Sequence, residues 1–286
     1  MYLVAGVSGH TGSATVETLL GRHQPVRVLV RDAAKAVPYA RRGAQVAVGD
    51  LGDAPGLASA LAGITGAFLL VPPPPPGTTG VIERGQRLVA SMKRAIERSG
   101  VPHVVFLSSM GAELERSGAI RVLHDAERKL GELPTPITFI RAGFFIENWA
   151  ASLPPVLQSG GLPTFLDPGR KLPMVATADI GATAARALTE PPARHRIVDL
   201  AGPADCSAAD VAAALGNLLG KPVHLQPGPL GGVVPALAAA GCSRELAELF
   251  REMYEGINTG RIRMGGGTLV RGTTSLEQGL ASILRH

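Results

Sequence analysis

Residues 1–20, MYLVAGVSGHTGSATVETLL, run from a short apolar strand through a glycine turn into a helix, with Gly6, Gly9 and Gly12 in GxxGxxG spacing. This order aims unpaired backbone N–H groups and the positive end of a helix dipole at one point, where a pyrophosphate can sit. Gly6 permits the tight turn, Gly9 leaves no Cβ in the way of the phosphates, and Gly12 lets the helix pack on the strand. Glycine triplets are common by chance in a chain with 36 glycines. The strand before this one and the helix after it make it a dinucleotide-binding entrance.

Downstream, apolar runs alternate with amphipathic ones, as a doubly wound parallel sheet requires. PVRVLV (25–30), AQVAV (44–48), AFLLV (67–71), HVVFLSS (103–109) and ITFI (137–140) predict buried strands. AAKAVPYARRG (33–43), the stretch ending LASALAG (57–63), VIERGQRLVASMKRAIERSG (81–100) and the segment around His124 to Leu130 predict helices. In the third of these, Gly85, Val89, Met92 and Ile96 share one face, and Gly100 ends it. Pro72 to Pro76 stop the AFLLV strand. Proline neither donates to a ladder nor continues a helix, so this run is a stiff loop at the ligand-binding end of the sheet or a rigid linker.

Beyond Trp149 glycine and proline become frequent and the elements shorten. The expected architecture is α/β: a Rossmann-type, doubly wound parallel sheet over 1–150 and a smaller C-terminal α/β lobe over 151–286, with about 175–202 rejoining the main sheet. In the lobe, TADIGATAARAL (177–188) reads as a helix beginning near Asp179 and RIVDLAG (196–202) as a strand. SAADVAAALGNLLG (207–220) and TSLEQGLASILRH (274–286) read as helices with Ser207 and Ser275 as N-caps.

Composition narrows the function classes. Hydrophobic residues make up 45% and charged residues 18%, which suits buried parallel strands and not a disordered chain. The first apolar segment is too short for a signal peptide and lacks its basic residues, and no later run reaches membrane-spanning length. A cytoplasmic protein that engages no membrane is expected. The formal charge of +5 comes from basic residues spread along the chain rather than gathered in a stripe. Nucleic acid is therefore not the expected partner, whereas an anionic cofactor or acidic small molecule gains from the same field. Cys206 and Cys242 stand far apart without CxxC or histidine-rich neighbours. They read as packing residues, with neither a metal site nor a disulfide expected.

In dinucleotide folds the residue ending the second strand sits beside the adenosine ribose, where a carboxylate bonds the 2′-hydroxyl and an arginine accommodates a 2′-phosphate. Here that residue is Arg31, about twenty residues after the last fingerprint glycine. Lys35, one helical turn on, adds a second positive charge, so NADP(H) is expected in preference to NAD(H). A solvated surface arginine is the plainer reading of Arg31, and Asp32 suits a helix cap. Asp50, in VGDL after the third strand, either holds the adenine amine or makes a turn. Reductases on this fold commonly use Tyr followed four residues later by Lys, the lysine lowering the tyrosine pKa. Tyr2, Tyr39 and Tyr254 are followed at that spacing by Gly6, Gly43 and Asn258, so the pair is missing. The segment where it should fall offers His124 and Glu127 instead, one helical turn apart, with the carboxylate placed to orient or charge the imidazole. His124 is the candidate catalytic residue, or else a surface histidine.

Taken together, YLVAGVSGHTG, VRVLVRDAAKA, VGDLGD, FLLVPP, GVPHVVFLSSMGA, the His124 helix, RAGFFIENW, VATADIGATAARAL and RGTTSLEQGL resemble the NmrA-like group of atypical short-chain dehydrogenases/reductases over almost the whole chain. The resemblance implies a Rossmann domain, a small C-terminal lobe, a cleft between them and a preference for NADP(H). It implies that Gly6, Ser8, Gly9, His10, Thr11 and Gly12 hold the pyrophosphate, and Arg31 and Lys35 the 2′-phosphate. Asp50 and Leu51 would then flank adenine, and Val71 and Pro72 line the path toward nicotinamide, with Ser108 and Ser109 beneath it. Gly143, Phe144, Phe145, Asn148 and Trp149 would form the hinge and wall of the substrate cleft. Their aromatic faces suit a flat, conjugated acceptor such as a quinone, with lobe packing as the alternative. Some relatives use a lysine on the corresponding helix as acid or base, but Lys129 is out of register for that role. Three readings stay open: an NADPH-dependent oxidoreductase passing hydride to a quinone or conjugated carbonyl, a non-catalytic NADP(H)-sensing regulator, and a redox-neutral isomerase or cyclase. The first is preferred, for a monomer or homodimer acting on a small molecule.

Overall fold

Along the first strand, β1 (Tyr2–Ala5), successive side chains leave the sheet on opposite faces: Leu3 and Ala5 enter one hydrophobic cluster and Val4 another. Burial on both faces is why the strands read as continuous apolar runs. The structure, a computed structural model, describes residues 1–285; His286, the last residue of the predicted final helix, lies outside the described residues. After β1 come α1 (His10–Gly21), β2 (Val26–Val30), α2 (Val37–Ala40), β3 (Gln45–Val48), α3 (Ala54–Leu61) and β4 (Gly66–Leu70). Then follow α4 (Val81–Ser99), β5 (Val104–Ser109), α5 (Arg121–Leu130), β6 (Ile137–Ala142) and β7 (Phe144–Phe145). The remainder comprises α6 (Leu153–Ser159), β8 (Gly161–Thr164), β9 (Met174–Val175), α7 (Thr177–Thr189), β10 (Arg196–Ala201) and α8 (Ala208–Leu219). It ends with β11 (His224–Pro227), α9 (Val233–Ala239), α10 (Arg244–Asn258), β12 (Thr268–Arg271) and α11 (Leu276–Leu284).

Eight strands form one parallel sheet in the order β12-β10-β6-β5-β4-β1-β2-β3. The fold is the doubly wound α/β sheet of the Rossmann type. The chain winds outward from β1 through β2 to β3, then restarts at β4 on the other side of β1, so the switch point lies between β1 and β4. Ligands of such sheets bind in the crevice at that point, beyond the carboxyl ends of the strands. Val16, Leu19, Ile180 and Leu188 of α1 and α7 cover one face, and Leu57, Met92, Ile96 and Leu130 of α3, α4 and α5 cover the other. A third cluster, including Trp149, Val156, Leu162, Val211, Ile257 and Leu280, forms the core of the C-terminal elements.

Some elements differ from expectation for local reasons. AAKAVPYARRG is not one helix: Asp32 accepts from the Ala34 N–H (2.9 Å) to cap a 3-10 turn over Ala33–Ala36, and Pro38 opens the single turn of α2. The helix predicted near Asp179 begins at Thr177, whose N–H and hydroxyl both donate to Glu147 (2.9 and 2.6 Å). Asp179 is buried instead and accepts from the Thr273 and Thr274 N–H groups, tying α7 to the loop before α11. Ser207 and Ser275 cap α8 and α11, each in a reciprocal capping box. Not foreseen were β12 at the sheet edge, the β8–β11 pair, and α9 and α10. Cys206 and Cys242 are free and half-buried. Among the described residues no helix is long and apolar enough to cross a membrane.

The proline run is a loop at the carboxyl end of β4, and it is tied to the lobe. At the start of α10, Glu245 accepts from the Gly80 and Val81 N–H groups (2.7 and 2.8 Å), capping α4, while the Ser243 N–H donates to the Pro76 carbonyl (2.8 Å).

Candidate functional site

The glycine turn sits at the switch point. Gly6 has φ +69°, and a Cβ there would meet Leu70 Cδ2 of β4 at 2.6 Å. A Cβ on Gly12 would stand 2.3 Å from the Gly6 carbonyl oxygen, so protein packing fixes both residues. Gly9 is different: a Cβ would meet nothing nearer than the Gly6 oxygen at 3.5 Å. Its smallness answers no neighbour in the protein and leaves a cradle that a Cβ would fill. Gly9 is also the N-cap of α1 and makes no side-chain bond, and the first turn of that helix carries no acidic residue. An anion therefore meets free N–H groups and the positive helix end. From outside, the Tyr39 hydroxyl fixes the turn by donating to the Val7 carbonyl (2.8 Å).

On one side of this turn a narrow cleft of 130 Å³ brings together Gly6, Ser8, Arg31, Asp50, Leu51 and Pro72. Arg31 is exposed there, and among the described residues it makes no ion pair. Asp50 spends one oxygen on the Gly52 N–H (2.7 Å), a turn contact, while still lining the cleft. Arg84 and Leu88 of α4, which sequence reasoning missed, also line the cleft. Their signal was faint: both lie on the helix entered from the proline loop. Lys35 is exposed and Val71 is half-buried; neither is among the residues lining this cleft. Thr11 is buried, its carbonyl accepting from the Thr15 hydroxyl. On the other side of the turn, Ser8, Gly9 and His10 line a second cavity of 380 Å³ with Glu147 and Thr177. The Glu147 Oε2 atom is buried without a partner.

At the carboxyl end of β6 the chain turns through Gly143, where a Cβ would overlap the Pro173 carbonyl at 1.8 Å. This close crossing launches Phe144, Asn148 and Trp149 into a cavity of 580 Å³. Phe165, Phe250, Met253 and Tyr254 close it from the lobe. The ring pairs Phe144–Trp149 and Phe165–Tyr254 have centroids 6.1 and 5.8 Å apart. Burial pushes the Tyr254 hydroxyl above the ordinary tyrosine pKa. Phe145 is not part of this wall; it packs toward the α1–α7 core. The lobe residues were also missed. The cap at Ser243 and the helical spacing of Leu246, Leu249, Phe250, Met253 and Ile257 were the signal for α10.

The expected pairing of His124 with Glu127 does not form. Glu127 turns inward and accepts from Arg141 Nη2 (2.6 Å) and Nε (3.0 Å) and from the Ser108 hydroxyl. Arg141 also pairs with Glu113 (2.9 Å) and donates to the Gly265 carbonyl (3.1 Å). Burial opposes the Arg141 charge, but the Glu127 and Glu113 carboxylates outweigh it and hold the guanidinium above its ordinary pKa. A buried ion pair draws Glu127 more strongly than a half-buried imidazole does. Ser108 is thereby committed to Glu127, and the Ser109 hydroxyl donates to the Met110 carbonyl (3.0 Å). His124 Nδ1 lies 2.9 Å from the Ala112 carbonyl. Its ring lines a separate groove of 510 Å³ beside Arg128, Arg141 and His195. The structure thus brings the glycine turn, Arg31 and Asp50 together, and Phe144, Asn148 and Trp149 together, but does not place His124 with either set.

Comparison with known proteins agrees with this arrangement. The sequence profile described as the NmrA-like family matches residues 2–268. The chain is 32% identical over 255 residues to NAD(P)H azoreductase of Xenophilus azovorans, covering 89% of this chain and 86% of that protein. It is 26% identical over 289 residues to quinone oxidoreductase 2 of Escherichia coli (strain K12), covering 99% and 98% of the two. The crystal structure of an Escherichia coli NADPH-dependent quinone oxidoreductase complexed with NADPH superposes with a TM-score of 0.84 at 26% identity, over 99% of this chain and 100% of that one. With the profile spanning nearly its whole length and the parallel sheet and glycine turn in place, the chain belongs to the NmrA-like family.

Proposed function

We propose that this protein is an NADPH-dependent reductase of flat, conjugated acceptors such as quinones. Its relatives support the broader class of NAD(P)H-dependent oxidoreductase. The observation that carries the finer reading is the presence of two features beyond the carboxyl ends of strands in one sheet. One is a phosphate cradle at Gly9 that a Cβ would fill; the other is an aromatic cavity opening after β6.

Bound along this edge, a reduced nicotinamide supplies a hydride, and one further proton completes reduction of a quinone to its hydroquinone. The α1 N–H groups would hold the diphosphate, while Arg31, with Arg84 lining the same cleft, would attract the 2′-phosphate. Phe144 and Trp149 align the acceptor ring and exclude water. A reduced quinone oxygen is a comparatively stable anion, so the protein's main task is positioning rather than strong acid catalysis. That fits a chain with no Tyr/Lys pair and with His124 set apart. Solvent at the cavity mouth or the Tyr254 hydroxyl delivers the proton.

The test is oxidation of NADPH and of NADH against a panel of quinones and conjugated carbonyls, with both cofactors titrated in parallel. Turnover with a preferred acceptor and tighter binding of NADPH are expected. Tight NADPH binding with no acceptor turned over would overturn the reading in favour of a dinucleotide-sensing regulator.

A further inference from the structure

The cavity that opens after β6 has an unusual chemical balance. Among the described residues no Asp, Glu, Lys, Arg or His lines its 580 Å³. That size falls in the range of small-molecule sites and accommodates a fused-ring ligand. Two hydrogen-bond donors of its lining residues lack protein partners, one sealed in the wall and one within reach of a ligand. Trp149 is 4% exposed, and its Nε1–H meets no acceptor. The Nε1 atom is sealed from the cavity, so the indole offers a ligand its ring rather than its N–H. The Tyr254 hydroxyl makes no hydrogen bond among the described residues, and burial keeps it protonated beyond the range where free tyrosine ionises. Each of these side chains belongs to a tilted aromatic pair, Phe144–Trp149 or Phe165–Tyr254, and all four rings line the cavity.

We propose that this cavity selects uncharged, planar, fused-ring acceptors, that the Trp149 ring packs against the acceptor, and that Tyr254 determines this specificity by donating a hydrogen bond to the acceptor's carbonyl oxygen or azo nitrogen. The inference deepens the reductase reading and rests on it for the acceptor class. A sulfonate or phosphate on the ring would enter without a counter-charge and lose its hydration, which disfavours anionic acceptors.

Binding can be read without turnover because Trp149 is the only tryptophan of the chain. The probes are a hydroxymethyl anthraquinone and an anthraquinone sulfonate, which share a ring system and differ in charge. Titrated into the full-length protein, the uncharged quinone should quench Trp149 fluorescence saturably. The sulfonate should bind about tenfold more weakly or worse. Tyr254→Phe keeps the ring and removes the donor; it should weaken the uncharged ligand about fivefold while leaving NADPH affinity unchanged. Gln226→Lys, at the exposed rim of the cavity, should recover sulfonate binding by supplying the missing cation. Equal affinity for the two probes, or binding that Tyr254→Phe leaves untouched, would overturn the proposal. Saturable, charge-selective quenching in a protein that reduces none of the acceptors would uphold the proposal and overturn the reductase reading alone.

Discussion

Gly9 and Gly12 differ in what they are small for, and substitution separates the two causes. Gly12→Ala places a Cβ 2.3 Å from the Gly6 oxygen and should cost about 1–3 kcal/mol of folding stability, read from a urea midpoint. Gly9→Ala has room in the protein and should keep the midpoint while sharply weakening NADPH in a binding titration. Arg31→Glu should weaken NADPH about 10–100-fold and NADH far less; equal losses would remove Arg31 from the 2′-phosphate. His124→Ala removes the contact with the Ala112 carbonyl and should cost about 1 kcal/mol of stability with kcat retained, since the ring stands apart from the aromatic cavity. The fingerprint glycines and Arg31 were legible because a strand, a turn and a helix start are written in neighbouring residues. Arg84, Phe165 and Tyr254 were not, because only the folded chain brings them to the site. Glu127 misled for a related reason: its helical neighbour His124 is visible in sequence, whereas its actual partner, Arg141, sits on β6.

Elements with strong periodicity read cleanly, and those whose identity depends on a distant partner did not. The amphipathic α4, ended by Gly100 in the left-handed region, and the Ser-capped α8 and α11 carry their own start and stop signals. By contrast β12, with the four residues TLVR, is a strand because β10 offers an open edge beside it. β8 and β11, rich in Gly, Pro and polar residues, likewise pair only with each other. The clasp between Glu245 and the start of α4 joins the proline loop, whose Pro72 lines the cleft beside the glycine turn, to α10, which lines the aromatic cavity. Glu245→Gln keeps the shape and removes the charge from the α4 N-terminus. It should lower stability by about 1 kcal/mol, and its larger effect should fall on acceptor KM. A variant with unchanged KM would show that the clasp serves folding only.

For the whole molecule, the one-way alternation of strands and helices made the doubly wound sheet legible, since β1 to β6 follow in order with a helix between each pair. The elements beyond Trp149 were seen as a change in texture rather than as a structure. A buried histidine and a half-buried tyrosine give the fold a stability profile with pH. His103, 1% exposed at the entry to β5, is held below its ordinary pKa by burial, which the nearby backbone of Thr65 and Ala187 offsets only in part. The unfolded chain protonates it near pH 6.5 while the folded protein resists, so stability should fall as pH drops through about 6.5. His103→Asn should flatten that slope in urea midpoints. Tyr254 acts at the other end: the unfolded chain loses this proton near pH 10 and the folded protein keeps it, so stability should decline as pH rises past about 10. Tyr254→Phe should remove that component.

The most direct single measurement is a rapid-mixing turnover in which the protein, preloaded with one equivalent of NADPH, meets an excess of the uncharged quinone while nicotinamide absorbance and Trp149 fluorescence are followed together. The cradle and the aromatic cavity working as one site predict loss of the bound NADPH signal in a single phase, with an equal amount of hydroquinone formed. Quenching of Trp149 with the NADPH signal unchanged would show an acceptor seated where no hydride reaches it, and would contradict the proposed reductase.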